Sequence, residues 1–161
     1  MSKTVWVRVD SRLVHGQVCT SWIPRLSAKR VVIVNDELAK QDFMCQIHQM
    51  AVPKGIVCDT ISVEQALKEW KEDEFGSENV LILFRDLQTA LRMYECGFEY
   101  DKLQIGTLSG SKGKKVLYKT INVSPEDVDI LRNMLDAGVY VFCQQLATEP
   151  ETPVINYIGK L

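Results

Sequence analysis

Val5-Trp6-Val7-Arg8-Val9-Asp10-Ser11-Arg12-Leu13-Val14-His15-Gly16-Gln17-Val18 is the stretch on which the fold turns. Its first five residues are β-branched or aromatic at all but one position, as a strand requires. The polar residues Asp10 to Arg12 end that strand, and a helix is predicted to begin near His15. A strand that runs through a short loop into a helix is the unit of an open α/β sheet.

The same alternation continues outward. Arg30 to Val34, Gly55 to Ile61 and Asn79 to Phe84 are predicted as the second, third and fourth strands, each followed by a helical segment. Ser62 has the pattern of an N-cap with Gln65 three residues on, ahead of the apolar stripe Ala66, Leu67 and Trp70. Asp86 is placed to cap a helix carrying Ala90, Leu91 and Met93, which Gly97 closes. Lys102 to Ile105 is a short fifth strand; after the turn-rich run Gly106 to Gly113, Lys115 to Val123 is predicted as another. No helix-length segment separates those two, so one of them is expected to run antiparallel. Ser124-Pro125-Glu126-Asp127 opens a helix with the core stripe Val128, Leu131, Met134 and Leu135 that Gly138 ends. Val139 to Gln144 is the last predicted strand, and Thr148 to Leu161, with Pro150 and Pro153, is expected to be a tail packed on the domain. The expectation is a single domain over residues 1–161.

Composition narrows the function. The chain has 161 residues, 46% hydrophobic and 25% charged, with a formal net charge of −2. That balance is globular and gives no support to nucleic-acid binding, which calls for a basic face. Met1 to Trp6 lacks the pattern of an export signal. No apolar run approaches the roughly 20 residues that cross a bilayer, so membrane association is expected only through a partner. The five cysteines are scattered without a C-x-x-C pair and are expected to be buried free thiols in a reducing cytoplasm.

The loop after the first strand carries the chemistry. Ligands of open α/β sheets bind at the carboxyl ends of strands, where a following helix offers N–H groups to anions. Arg8 and Arg12 are permanent cations that can fork onto phosphoryl oxygens. A neutral His15 can attack phosphorus, with Asp10 or Ser11 able to hold a ring N–H or position a substrate hydroxyl. The scheme needs no metal or cofactor. Taken on spacing alone, a lone histidine beside a helix start is more often a cap or a core-edge residue. Of the other residues, His48 is expected to be structural, and Lys112, Lys114, Lys115 and Lys119 to form a solvated face.

Beyond this reading, Arg8-Val9-Asp10-Ser11-Arg12-Leu13-Val14-His15-Gly16-Gln17-Val18 resembles the motif R-[IV]-D-x-R-L-[IV]-H-G-Q-V of the IIB proteins of the mannose, fructose and sorbose class of the phosphoenolpyruvate-dependent phosphotransferase system. The resemblance extends to Val34-Asn35-Asp36-Glu37, Leu83-Phe84-Arg85, Ile105-Gly106 and Gly138 to Gln144. It implies a three-layer α/β fold with a mostly parallel seven-stranded sheet, helices on both faces and an antiparallel strand near the C-terminal edge. It also implies that His15 accepts phosphate from the phosphohistidine of a IIA protein or domain. The phosphate then passes to a sugar delivered by the membrane components IIC and IID, with the protein cytoplasmic and peripheral to the membrane. On this reading Arg8, Arg12, Asp10, Ser11, Gly16 and Gln17 surround the phosphoryl group. Asn35, Asp36, Phe84, Arg85, Gly106 and Thr107 are the strand-end residues expected to meet a partner or sugar. The chain departs from the family at Thr107-Leu108, where Gly-Met or Asn-Met is usual, and at Leu146-Ala147, where Val-Pro is usual. Competing readings are a non-catalytic sugar-phosphate or phosphate-binding module and a free-standing phosphatase.

Overall fold

The computed structural model describes residues 3–161; Met1 and Ser2, the start of the segment read for an export signal, lie outside them. Strand β1 is Val5–Val9. The chain becomes helical at Gly16, passes through a π-helical turn Val18–Trp22 and ends in α1, Ile23–Leu26. In that turn the Ile23 N–H donates to the Val18 carbonyl, five residues back. Then follow β2 (Arg30–Val34), α2 (Asp36–Ala39), α3 (Asp42–Ala51), β3 (Val57–Ile61), α4 (Val63–Asp73), β4 (Val80–Phe84), α5 (Leu87–Glu95) and β5 (Lys102–Ile105). The last third holds β6 (Lys115–Tyr118), β7 (Ile121–Val123), α6 (Pro125–Asp136), β8 (Tyr140–Cys143), β9 (Thr152–Pro153) and α7 (Ile155–Ile158).

Seven strands form one sheet in the order β3-β2-β4-β1-β5-β8-β9, with every pair parallel except β8–β9. Parallel strands covered on both faces read as continuous apolar runs, and here they divide by parity. Val7, Val9, Val32, Val34, Ile82 and Phe84 face the core shared with α4, α5 and α6. Val31, Ile33, Leu81 and Leu83 face the layer made by the π-helical turn, α1 and α3, with Trp22, Ile23 and Val52 among its buried residues. The expected three-layer architecture is therefore present.

Helix starts follow the expected chemistry. Ser62 accepts from the Gln65 N–H at 3.1 Å, Asp86 from Thr89 at 2.8 Å, and Ser124 from Asp127 at 3.1 Å. Only the last closes a full capping box, because Asp127 returns a bond to the Ser124 N–H. The Gln65 side chain instead bonds Glu69 at 3.2 Å along its own helix.

Four expectations need correction. Lys115 to Val123 is not one strand: it folds back at Lys119, whose φ of +47° makes the turn, into the separate hairpin β6–β7. Neither glycine nor proline marks that turn, so nothing in the local composition announced it. Lys102 to Ile105 is parallel to both neighbours, and the antiparallel strand is Thr152–Pro153 within the tail. Proline is tolerated there because it sits on an edge. Among the cysteines only Cys58 and Cys143 are buried; Cys19 and Cys45 are half-buried and Cys96 is exposed, and all five are free thiols. Strands three and four start later than predicted, at Val57 and Val80.

Candidate functional site at the carboxyl end of the first strand

β1 lies between β4 and β5, so its carboxyl end opens at the middle of the sheet. Backbone bonds fix the exit of the chain: the Asp10 N–H donates to the Phe84 carbonyl at 2.9 Å, and the Ser11 N–H to the Thr107 carbonyl at 2.8 Å. The Leu13 N–H then turns back to the Asp10 carbonyl at 3.0 Å. Leu13 takes a left-handed φ of +57°, a conformation that costs a leucine about 1–2 kcal/mol. Burial of its side chain under the helix layer offsets that cost and throws His15 up at the mouth of the loop.

Asp10 is the hub. It is wholly buried, and its Oδ2 accepts from Arg8 Nη2, Arg12 Nη2 and His15 Nε2, each at 3.1 Å. Its Oδ1 accepts from the Arg12 backbone N–H at 3.0 Å and Arg12 Nε at 3.1 Å. Burial alone would raise the Asp10 pKa, but the hydrogen bonds from His15 and Arg12 and the charge of Arg8 outweigh it and hold the carboxyl down to about 2. An ionised carboxylate only accepts, so the proton of the His15–Asp10 contact belongs to His15 Nε2. The lone pair of the neutral ring then sits on Nδ1, which has no hydrogen-bond partner among the described residues.

The two arginines, expected to act alike, do not. Arg12 is partly exposed and spans Asp10 and the Gln17 Oε1 atom, the latter at 3.0 Å. Arg8 is fully buried: Nη1 donates to Gln104 Oε1 at 2.6 Å and the Gln144 carbonyl at 2.9 Å, and Nη2 to Asp10 and the Gln145 carbonyl. Its Cζ lies 5.3 Å from the Trp22 ring centroid. Burial lowers the Arg8 pKa, against the charge of Asp10, and Nε has no partner among the described residues. Both terminal nitrogens of Arg8 are committed inside the protein, where Nη2 holds Asp10 from below, whereas Arg12 reaches the surface.

Other expected residues sort by position. Ser11 reaches sideways, its Oγ 2.8 Å from Ser109 Oγ and accepting from the Ser109 N–H at 3.1 Å, which pins the β5–β6 loop beside the site. Gly16 is exposed at the start of the helix, and its carbonyl accepts from Thr20 Oγ1 at 2.7 Å. Gly106 gives the pair its room: a Cβ there would collide with Arg8 Nη2, Arg8 Cζ and Asp10 Oδ2 and force those side chains to shift. Thr107 anchors the loop by its carbonyl, and its hydroxyl accepts from Gln145 Nε2 at 3.2 Å. The side chain of Phe84 is wholly in the core and is closed to any partner, whereas Arg85 is exposed. Asn35 caps α2 by accepting from the Leu38 N–H at 2.9 Å. Asp36 instead accepts from the Val63 N–H at 2.9 Å and pairs with Arg92 at 2.7 Å, tying α2 to α4 and α5. At the second departure from the family pattern, the Ala147 N–H donates to Ser21 Oγ at 3.0 Å, which proline could not do.

Gln104, Gln144, Gln145 and Trp22 escaped the sequence reading. For Gln104 a signal existed: it and Arg8 are the only polar residues inside the buried stretches Leu103-Gln104-Ile105 and Val7-Arg8-Val9, and they are paired in register. Two polar residues facing one another across a buried parallel ladder must satisfy each other.

Comparison with known proteins agrees with the fold. Residues 4–161 match the family model of the PTS system sorbose subfamily IIB component. The sorbose-specific EIIB component of Klebsiella pneumoniae is 29% identical over 153 residues, covering 95% of this chain and 93% of that protein. The mannose-specific EIIAB component of Escherichia coli K12 is 23% identical and covers 96% of this chain, which spans 48% of that longer protein. The crystal structure of the IIBSor domain of the Klebsiella pneumoniae sorbose permease superposes with a TM-score of 0.90 at 28% identity, covering 98% of this chain and 97% of that one. That of manxB from Thermoanaerobacter tengcongensis gives 0.88 at 31% identity, with 99% and 97% covered. The chain therefore belongs to the sorbose subfamily of IIB components, the phosphoryl-transfer components of sugar phosphotransferase systems.

Proposed function

We propose that His15 is the phosphoryl carrier and that its Nδ1 atom is the nucleophile. The observation that carries this reading is the 3.1 Å contact of Nε2 with the buried, ionised Asp10, which commits one ring nitrogen as donor and leaves the other its lone pair. Nδ1 attacks the phosphorus of a phosphohistidine on a IIA protein or domain; the new N–P bond forms as the donor's N–P bond breaks. The ring, still protonated on Nε2, becomes cationic, and Asp10 neutralises it as a carboxylate does for an imidazolium in a catalytic triad. Arg12, partly exposed, meets the phosphoryl oxygens. Attack by a sugar hydroxyl then expels His15 as a neutral imidazole with the Nε2 proton still in place, and the hydroxyl proton passes to water.

On this reading residues 1–161 act as one IIB domain, a protein-histidine to sugar phosphotransferase, peripheral to the membrane through IIC and IID. No helix among the described residues is long and apolar enough to cross a bilayer. Ser11, Gly16 and Gln17 line the loop, while Asn35, Asp36, Arg85 and Thr107 lie at neighbouring strand ends where a IIA protein or the sugar approaches. The test is labelling with phosphoenolpyruvate, the general components and a IIA protein. An acid-labile, base-stable phosphate on His15 Nδ1, absent from His15→Ala, is expected. Sugar-phosphate binding without covalent label, unchanged in His15→Ala, would support the binding module instead.

A further inference from the structure

The structure assigns a positioning role to Gln104: through Arg8 and Asp10 it fixes which ring nitrogen of His15 holds the proton. This rests on His15 being the phosphoryl acceptor. Gln104 is wholly buried on β5, directly across the ladder from Arg8. Its Oε1 accepts from Arg8 Nη1 at 2.6 Å and from Trp6 Nε1 at 3.1 Å, and its Nε2 donates to Gln144 Oε1 at 3.1 Å. Arginine and indole nitrogens only donate, so the orientation of the amide is determined by its surroundings.

The consequence passes along a continuous series of bonds. Gln104 holds Nη1, and the rigid guanidinium plane then delivers Nη2 to Asp10 Oδ2. That oxygen is the one that receives the His15 Nε2 proton. Besides Gln104 and Asp10, the plane is held by the Gln144 and Gln145 carbonyls, near the end of β8, and by the Trp22 ring, while Nε is unpaired among the described residues. Without the Gln104 oxygen, Nη1 keeps only the Gln144 carbonyl, and the guanidinium plane tilts toward it, drawing Nη2 off Asp10 Oδ2. Asp10 then shifts toward Arg12, and the His15 ring loses the acceptor that selects its tautomer. Gln104 touches neither phosphate nor sugar; it acts through two other side chains.

The test compares Gln104→Met, which removes the acceptor at similar length, with Gln104→Glu, which retains an Oε1 acceptor. Ring 15N shifts of His15 in the unphosphorylated protein report the tautomer, and NMR of the labelled protein reports the nitrogen that carries phosphate. Wild type and Gln104→Glu are expected to show the Nε2–H tautomer and the Nδ1 product alone. Gln104→Met is expected to show both tautomers, both products and an initial labelling rate lower by on the order of 10- to 100-fold. Gln104→Asn, whose shorter side chain withdraws the acceptor yet keeps an amide, is expected to behave likewise, so the test survives if the methionine variant does not fold. A single tautomer and a single product in the acceptor-withdrawn variants would overturn the inference, as would loss of both in Gln104→Glu. Absence of label on wild-type His15 would instead break the proposed function, and the tautomer measurement would still decide this one.

Discussion

The chain has two histidines, and their surroundings are opposite. His15 is part-exposed and rests on a buried carboxylate flanked by two guanidinium groups. His48 is buried on α3, where its Nδ1 lies 2.9 Å from Thr60 Oγ1 on β3, and burial lowers its pKa. One ring has a charged partner that dictates its proton; the other has a neutral hydroxyl that can donate or accept. Imidazole chemistry is common to both, so what separates the two rings is what each is bonded to and how far it is buried.

Replacing Asp10 with asparagine erases that contrast most directly. Asp10→Asn leaves an amide that can donate to His15, so the ring loses its preferred tautomer, and the labelling rate is expected to fall by about 100- to 10 000-fold. The same change strands the buried Arg8 charge, and the folded state should lose about 3–5 kcal/mol by chemical denaturation. Retention of both rate and stability would show that Asp10 is not the hub.

A subtler disturbance reaches the same pair from the side. Gly106→Ala forces Arg8 and Asp10 apart, which should cost about 1–3 kcal/mol. Labelling in that variant should slow markedly, whereas alanine at an exposed glycine with open space, such as Gly16, should leave stability nearly unchanged.

Acid separates the two histidine environments by pH. Asp10 titrates near 2 in the folded protein against an ordinary value of 3.8, so the stability it contributes is present above pH 3.8 and lost as pH falls through about 2. That contribution is on the order of 2 kcal/mol, and Asp10→Asn should flatten the denaturation profile in this window. His48 works in a higher window and more weakly. Its folded pKa lies below the ordinary value of 6.5, so the unfolded chain binds its proton first and stability declines as pH falls below 6.5. A His48→Gln protein should keep its labelling rate and lose only that slope. A labelling defect in His48→Gln would erase the distinction between the rings.

How much of this was visible beforehand depends on whether the cause was local. The parallel strands, their helices and three side-chain caps follow from apolar runs and from Ser62, Asp86 and Ser124, signals contained within a few residues. The hairpin at Lys119 and the edge strand at Thr152 depend on tertiary contacts that no neighbouring residue encodes. At the site, the sequence brings Arg8, Asp10, Arg12 and His15 together in eight residues, and the apolar run Val7-Arg8-Val9 marks Arg8 as the inward-facing arginine. The inward one, Arg8, is received by Gln104, which lies 96 residues away in the chain and beside it in the sheet.

The π-helical turn Val18–Trp22 acts as a gear between the loop and the interior. It accommodates one residue more than an α-helical turn between His15 and Trp22, and so sets the angular phase at which the indole meets Arg8 and donates to the Gln145 carbonyl at 2.6 Å. One residue added to an ordinary α-helix would turn its two ends about 100° out of step; taken up by the wider turn, the extra residue leaves the loop and the indole in register. The wide turn therefore lets the chain carry one more residue between His15 and Trp22 without misdirecting either.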